Sequence, residues 1–161
     1  MTLTEIAPVH SPEILKINRD NVEMLSPLDE QGLAALLDMA AFHRAVLTDD
    51  GTVAAFLIAL REGTAYQSVN YRWFSARLGH FLYIDRIAVA EAFRGVALAT
   101  RLYEEALAFA RQSGLSVMAA EINVEPENIP SLTFHKKFGF SEVGRQRLGG
   151  GKTVSMQTRA L

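Results

Sequence analysis

The stretch from residue 81 to residue 111 constrains this chain more than any other. Phe81 to Val89 is a nearly unbroken apolar run, the composition of a strand buried on both faces. It passes through the small-residue loop Ala90-Glu91-Ala92-Phe93-Arg94-Gly95-Val96-Ala97-Leu98-Ala99-Thr100 into an amphipathic segment ending near Arg111. There Ala99, Leu102, Tyr103, Ala106, Leu107 and Ala110 follow a helical repeat, with Arg101, Glu104, Glu105 and Arg111 off the stripe. A strand that turns tightly into a helix leaves the first amides without intrahelical partners, at the positive end of the helix dipole. Such a place suits a phosphate or pyrophosphate. On spacing alone, Arg94-x-x-Ala97-x-Ala99 also fits a plain strand-to-helix turn.

The remaining elements are read around that unit. Leu3, Ile6 and Val9 suggest a short strand broken at Pro8, and Ser11-Pro12-Glu13 starts a helix carrying Ile14, Leu15, Ile17 and Val22. Ser26-Pro27-Leu28-Asp29 starts a second helix, to about residue 41. Strands over 42–48 and 52–60 form a hairpin about Asp49-Asp50-Gly51, and residues 62–79 read as the longest irregular segment. Its aromatics Tyr71, Trp73 and Phe74 either fold over the core or, with Tyr83, line a substrate pocket. Gly114 stops the long helix, Val117 to Val124 is a strand, Asn128 caps a short helix closed by Gly139, and 142–148 and 153–158 form a last hairpin.

At 161 residues and without an internal repeat or linker, the chain reads as one domain spanning 1–161. The absence of cysteine excludes disulfides and a thiolate nucleophile. His10, His43 and His80 share no metal-ligand spacing, so no metal is expected. A net charge of −2 carries no basic stripe for nucleic acid or a membrane surface. With neither a signal-peptide pattern at Met1 to Glu5 nor a spanning apolar run, a soluble cytoplasmic domain is expected.

Two ordered motifs then point to a family. Arg94, Ala97 and Ala99 take the three defined positions of motif A of the GNAT N-acetyltransferase superfamily, Arg/Gln-x-x-Gly-x-Gly/Ala after a buried strand, and Gly95 fits its frequent Arg-Gly start. Asn128-x-x-Ser131-x-x-Phe134-His135-x-x-Phe138-Gly139-Phe140 resembles motif B. The element order matches over essentially the whole chain. The resemblance implies an α/β fold, with a mixed, mostly antiparallel central sheet of about seven strands flanked by about four helices. It also implies acetyl-CoA as co-substrate, its pyrophosphate on the amides of Arg94, Gly95, Val96, Ala97, Leu98, Ala99 and Thr100, with the Thr100 hydroxyl as a further donor. The pantetheine arm would lie between parting strands against backbone groups of Ile87, Ala88 and Val89, with Asn128, Ser131 and Phe134 as further contacts. There are two departures. Ala97 replaces the first motif glycine, tolerable if its φ is negative, and His135 stands where a tyrosine general acid is common.

The reaction this implies is direct attack of a neutral primary amine on the thioester in a ternary complex, which needs a base for the amine and a proton for the thiolate. Glu121 holds the position resembling the base of ribosomal-protein N-terminal acetyltransferases, although two extra residues within Val124-Glu125-Pro126-Glu127 separate it from Asn128. Asp85 is the rival base, or a structural partner of Arg86 or Arg61. His135 is the candidate acid, with Tyr83 and Tyr103 as alternative phenols, Tyr103 looking like core. The acceptor would be a small-molecule or peptide amine, and dimerisation is common among relatives. Ala97 and the missing tyrosine motivate an alternative, a catalytically weak acyl-CoA-binding or sensor module; a third reading is a longer acyl donor. Gly149-Gly150-Gly151-Lys152-Thr153 ends like a P-loop, but the required first glycine falls at Gln146 and eight residues after Thr153 leave no room for a helix, so it reads as a hairpin turn.

Overall fold

Apolar strands in the middle of the chain pair with each other and leave the polar strands to the edges. The computed structural model describes residues 1–161. Its elements are β1 (Thr2–Thr4), α1 (Ser11–Asp20), α2 (Glu30–Met39), β2 (Phe42–Leu47), β3 (Val53–Arg61), α3 (Val69–Ser75), β4 (Phe81–Val89), α4 (Leu98–Gln112), β5 (Val117–Glu125), α5 (Ile129–Lys137), β6 (Ser141–Leu148) and β7 (Lys152–Ala160). They form one seven-stranded sheet in the order β1-β2-β3-β4-β5-β7-β6. Every neighbouring pair is antiparallel except β4 and β5. β3 is buried from Val53 to Leu60, as a central strand covered on both faces must be.

The two faces have separate cores. Ile14, Ile17, Leu33 and Leu36 of α1 and α2 pack on one face with Tyr71 and Phe74 of α3. Leu98, Leu102, Tyr103, Ala106 and Ala110 of α4 cover the other with Phe140, and Phe134 and Phe138 close over them. Short polar side chains start the helices: Asp29 accepts from the Gly32 amide at 2.7 Å, Ser68 from Tyr71 at 3.2 Å and Asn128 from Ser131 at 3.3 Å. α2 therefore begins at its Asp29 cap, later than Ser26, and the first strand stops at Thr4.

The segment expected to be irregular contains α3, so five helices flank the sheet instead of about four. Val69-Asn70-Tyr71-Arg72-Trp73-Phe74-Ser75 is short, aromatic and poor in strong helix formers. Its helix is held by the Ser68 cap and by burial of Tyr71 and Phe74, which are 2% and 0% exposed. Tertiary packing overrides local propensity there.

The break in the sheet positions the site. β4 and β5 pair only at Phe81↔Val117, Leu82↔Met118 and Tyr83↔Ala119. Beyond that, β4 stays bonded to β3 as far as Ala55↔Val89, and β5 to β7 as far as Glu125↔Thr153. Each half of the sheet remains intact while a wedge opens between them. No helix is long and apolar enough to cross a membrane.

Candidate active site

The wedge holds two adjoining cavities. The outer one, about 790 Å³, is bounded by Ile87, Ala88 and Val89 of β4, by Arg94 and Ala99, and by Asn128, Ser131, Phe134 and His135. The inner one, about 430 Å³, reaches Asp85, Glu121, Asn123, Tyr103 and His135, with Tyr66 and Asn70 on its far wall. Ile87, Asn128, Ser131 and His135 border both.

At the outer end, α4 starts without a side-chain cap, leaving its first amides for solvent or a ligand. Arg94, Gly95, Val96 and Ala97 are exposed, Thr100 is half-buried, and the Leu98 side chain anchors the turn in the core. Arg94 also donates to Asn21 Oδ1 at 3.2 Å, tying the loop to the end of α1. Gly95 has φ +84°, and Ala97 has φ +59° and ψ +29°. The negative φ that would make alanine comfortable is therefore absent. Ala97 adopts the left-handed geometry of a glycine at a cost of about 1 kcal/mol. Exposed amides above an open groove still fit a pyrophosphate and a linear arm.

At the inner end, Glu121 projects from β5 just past the last β4–β5 pair. Its Oε1 accepts from Tyr83 Oη at 2.8 Å and from Asn70 Nδ2 at 3.1 Å. Its Oε2 is buried and has no hydrogen-bond partner. Burial, aided by the negative charge of Asp85, pushes the carboxyl up to about 8 from an ordinary 4.5, against the opposing pull of Tyr83 and Asn70. A carboxyl with one committed oxygen, one free oxygen and a pKa near neutrality is suited to exchange protons.

Asp85 and His135 are more heavily engaged. Asp85 Oδ2 is 2.7 Å from Arg86 Nε in an ion pair whose side chains are both 4% exposed, and Oδ1 accepts from Tyr66 Oη at 2.6 Å. Arg86 continues to Asn18 Oδ1 at 2.9 Å and Ser26 Oγ at 3.0 Å, fastening the α1–α2 connection to β4. His135 Nδ1 lies 2.8 Å from the Ser131 carbonyl, which can only accept, so Nδ1 carries the proton. Its Nε2 is 2.6 Å from Tyr103 Oη and, in the neutral ring, accepts from that hydroxyl. Burial lowers the imidazole pKa.

The aromatics expected in a pocket separate. Tyr71 and Phe74 are core, Trp73 lies against Gly144 of β6, and Tyr83 is buried beneath Glu121. Tyr66, another aromatic of the 62–79 segment, bonds Asp85, while Asn70, to which the sequence assigns no role, bonds Glu121 and is itself held by Gln146. Only a helical reading of 69–75 would have pointed to Asn70.

A family model described as acetyltransferase (GNAT) family matches residues 13–140. The chain belongs to the GNAT acetyltransferase family. Solved structures share the fold across nearly the whole chain. Ard1 from Thermoplasma volcanium has a TM-score of 0.80 at 15% identity, covering 99% of this chain and 97% of that one. The NatC complex bound to Gag peptide and CoA gives 0.77 at 13%, covering 99% and 98%. The ribosomal-protein-S18-alanine N-acetyltransferase from Escherichia coli gives 0.73 at 16%, covering 99% and 92%. A search of curated proteins returns no match. Members of the GNAT family are acetyltransferases that use acetyl-CoA.

Proposed function

We propose that this GNAT protein transfers an acetyl group from acetyl-CoA to a primary amine, of a small molecule or a peptide, by direct attack in a ternary complex. The observation that carries the reading is Glu121: a carboxyl at the strand divergence that lines the inner cavity, its Oε2 buried and without a partner, with the adjoining cavity reaching Arg94 and Ala99 of the 94–100 loop. That loop and the backbone of Ile87, Ala88 and Val89 would bind the co-substrate, with Asn128, Ser131 and Phe134 along the opposite wall. Acetyl-CoA supplies the thioester.

Glu121 takes the proton that the attacking amine loses, directly or through one water. The Tyr103–His135 pair lies across the same cavity and supplies the proton needed at the departing sulfur. His135 holds and orients the Tyr103 hydroxyl by accepting from it at Nε2. Its neutral ring carries its one proton on Nδ1, so after Tyr103 has protonated the departing sulfur the phenolate is reprotonated by water. Asp85 is assigned to structure through Arg86.

The test is release of free CoA from acetyl-CoA across a panel of amines and peptides. Turnover above background with an acceptor, rising with pH toward about 8, supports the reading. Tight acetyl-CoA binding with no acceptor-dependent release would overturn it in favour of a binding or sensor module, for which the strained Ala97 is the motivating feature.

A further inference from the structure

Glu121 Oε1 is fixed by a chain of contacts that begins on the edge strand β6, in the same half of the sheet as β5, and passes through α3. Gln146 on β6 donates from Nε2 to Asn70 Oδ1 at 2.8 Å, and Asn70, in the first turn of α3, donates from Nδ2 to Glu121 Oε1 at 3.1 Å. A carboxamide has one accepting end and one donating end. With Oδ1 held by Gln146, Asn70 must present Nδ2 to the carboxyl; freed from Gln146, it can rotate and present an acceptor.

The docking of α3 onto β6 supports this arrangement. Trp73, three residues beyond Asn70, lies on Gly144, where an added Cβ would sit 2.7 Å from the indole Cζ2. Gly144 and Gln146 lie two residues apart, so both face the same side of the strand. The missing side chain at Gly144 admits Trp73, and that contact brings Asn70 within reach of Gln146.

We infer that Gln146 and Asn70 are positioning residues for Glu121: Gln146 orients Asn70 so that its donor, beside Tyr83, occupies Oε1 and proton exchange falls to the unpartnered Oε2. This rests on the reading of Glu121 as base. The other titratable or charged groups around the carboxyl are Tyr83, Asp85 and Arg86 from β4, Tyr66 before α3, Tyr103 from α4, His135 from α5 and Lys152 from β7. Asp85 and Arg86 are paired, and Tyr103 and His135 bond each other, so neither pair reaches Oε1. Removing Asn70 withdraws one of two donors that favour the charged carboxyl.

The experiment follows the Glu121 carboxyl by carbon-13 NMR in protein labelled at glutamate side-chain carboxyls, its signal identified by its loss in Glu121→Gln. The full chain is used without acceptor. In Asn70→Leu the titration midpoint is expected to rise by about one pH unit. Gln146→Leu, on an edge strand where the fold tolerates change, should move it the same way by less. The double variant should match Asn70→Leu alone, because the two act in series. In acetyl transfer, the rate below the midpoint should fall about tenfold for Asn70→Leu while KM for acetyl-CoA stays put. A midpoint that does not move in folded Asn70→Leu, or additive effects in the double variant, overturns the relay. If Glu121→Gln leaves the pH–rate limb in place, the base reading fails instead, whatever the NMR midpoint does.

Discussion

The two ends of the cleft are built in opposite ways. The 94–100 loop is contiguous, exposed and made of backbone amides, so its side chains matter chiefly through the geometry they permit. The Glu121 end is buried and made of side chains brought from β4, β5, α3 and β6, with Asn70 51 residues from Glu121 and Gln146 76 residues from Asn70. A phosphate asks for several weak donors at one spot, which one turn of chain can supply. A shifted carboxyl needs burial, a neighbouring charge and chosen donors together, which only a tertiary arrangement provides. Damage at the inner end should therefore appear in chemistry and pH dependence, and damage at the outer end in co-substrate affinity.

Glu121→Gln tests that division with the largest effect. Loss of a positioned base should lower kcat/KM by about a thousandfold at pH above the limb and flatten the profile, with acetyl-CoA affinity unchanged by calorimetry. Its stability signature runs the other way. Because the folded carboxyl titrates near 8 and the unfolded one near 4.5, the native state holds the extra proton across that interval. Native stability then falls as pH rises through it. Gln carries no such titration, so the melting advantage of the variant should grow with pH and vanish in acid. A constant difference in Tm would contradict the buried, proton-holding state.

Arg86→Leu should come next, and as a stability effect. It leaves Asp85 charged, buried and held only by Tyr66, and releases Ser26 and Asn18 from β4. Removing one partner of a buried pair costs about 3 kcal/mol or more, readable as a lower urea midpoint. Asp85→Asn should be milder, and should lower the Glu121 midpoint because a neighbouring negative charge is gone.

What the sequence discloses follows the same division. The strand–loop–helix unit is local, so its apolar run, small residues and helical stripe are visible together, and the strands and α4 lie where the patterns put them. Glu121 was found through resemblance; nothing in Ala119-Ala120-Glu121-Ile122 by itself says that one oxygen is bonded and the other free. α3 is not legible because Val69-Asn70-Tyr71-Arg72-Trp73-Phe74-Ser75 writes a weak helical signal, and the contact of Asn70 with Gln146 of β6 depends on that helix. The φ of Ala97 is not legible for a different reason: alanine rarely adopts the left-handed region, so nothing in its identity signals a positive φ.

Gly144→Ala probes the junction that carries the relay. The new methyl would sit 2.7 Å from Cζ2 of the Trp73 ring, over which the Arg77 guanidinium lies at 3.8 Å, so ring and guanidinium must move together to admit it. Overpacking of this kind costs about 2 kcal/mol. The variant should also raise the Glu121 midpoint, because α3 shifts from β6 and Asn70 leaves Gln146. A stability loss with the midpoint unmoved would separate the docking of Trp73 from the setting of the base.

Ala97→Gly is the smallest change and tests the outer end alone. Glycine removes the left-handed strain, about 1 kcal/mol, but adds unfolded-state freedom of about half that, so a net gain of a few tenths of a kcal/mol is expected. It also removes a methyl from a turn meant to approach a phosphate closely. Acetyl-CoA affinity should rise a few-fold by calorimetry, with the pH–rate limb fixed because nothing at Glu121 has moved. Gly95→Ala is the matched opposite: a Cβ there meets no atom within 4 Å, so its cost comes from forcing alanine to φ +84°. Ala97→Gly should therefore raise Tm and Gly95→Ala lower it, with no steric contact involved in the second. If both lower Tm, backbone conformation is not what limits this turn, and the strain assigned to Ala97 is wrong.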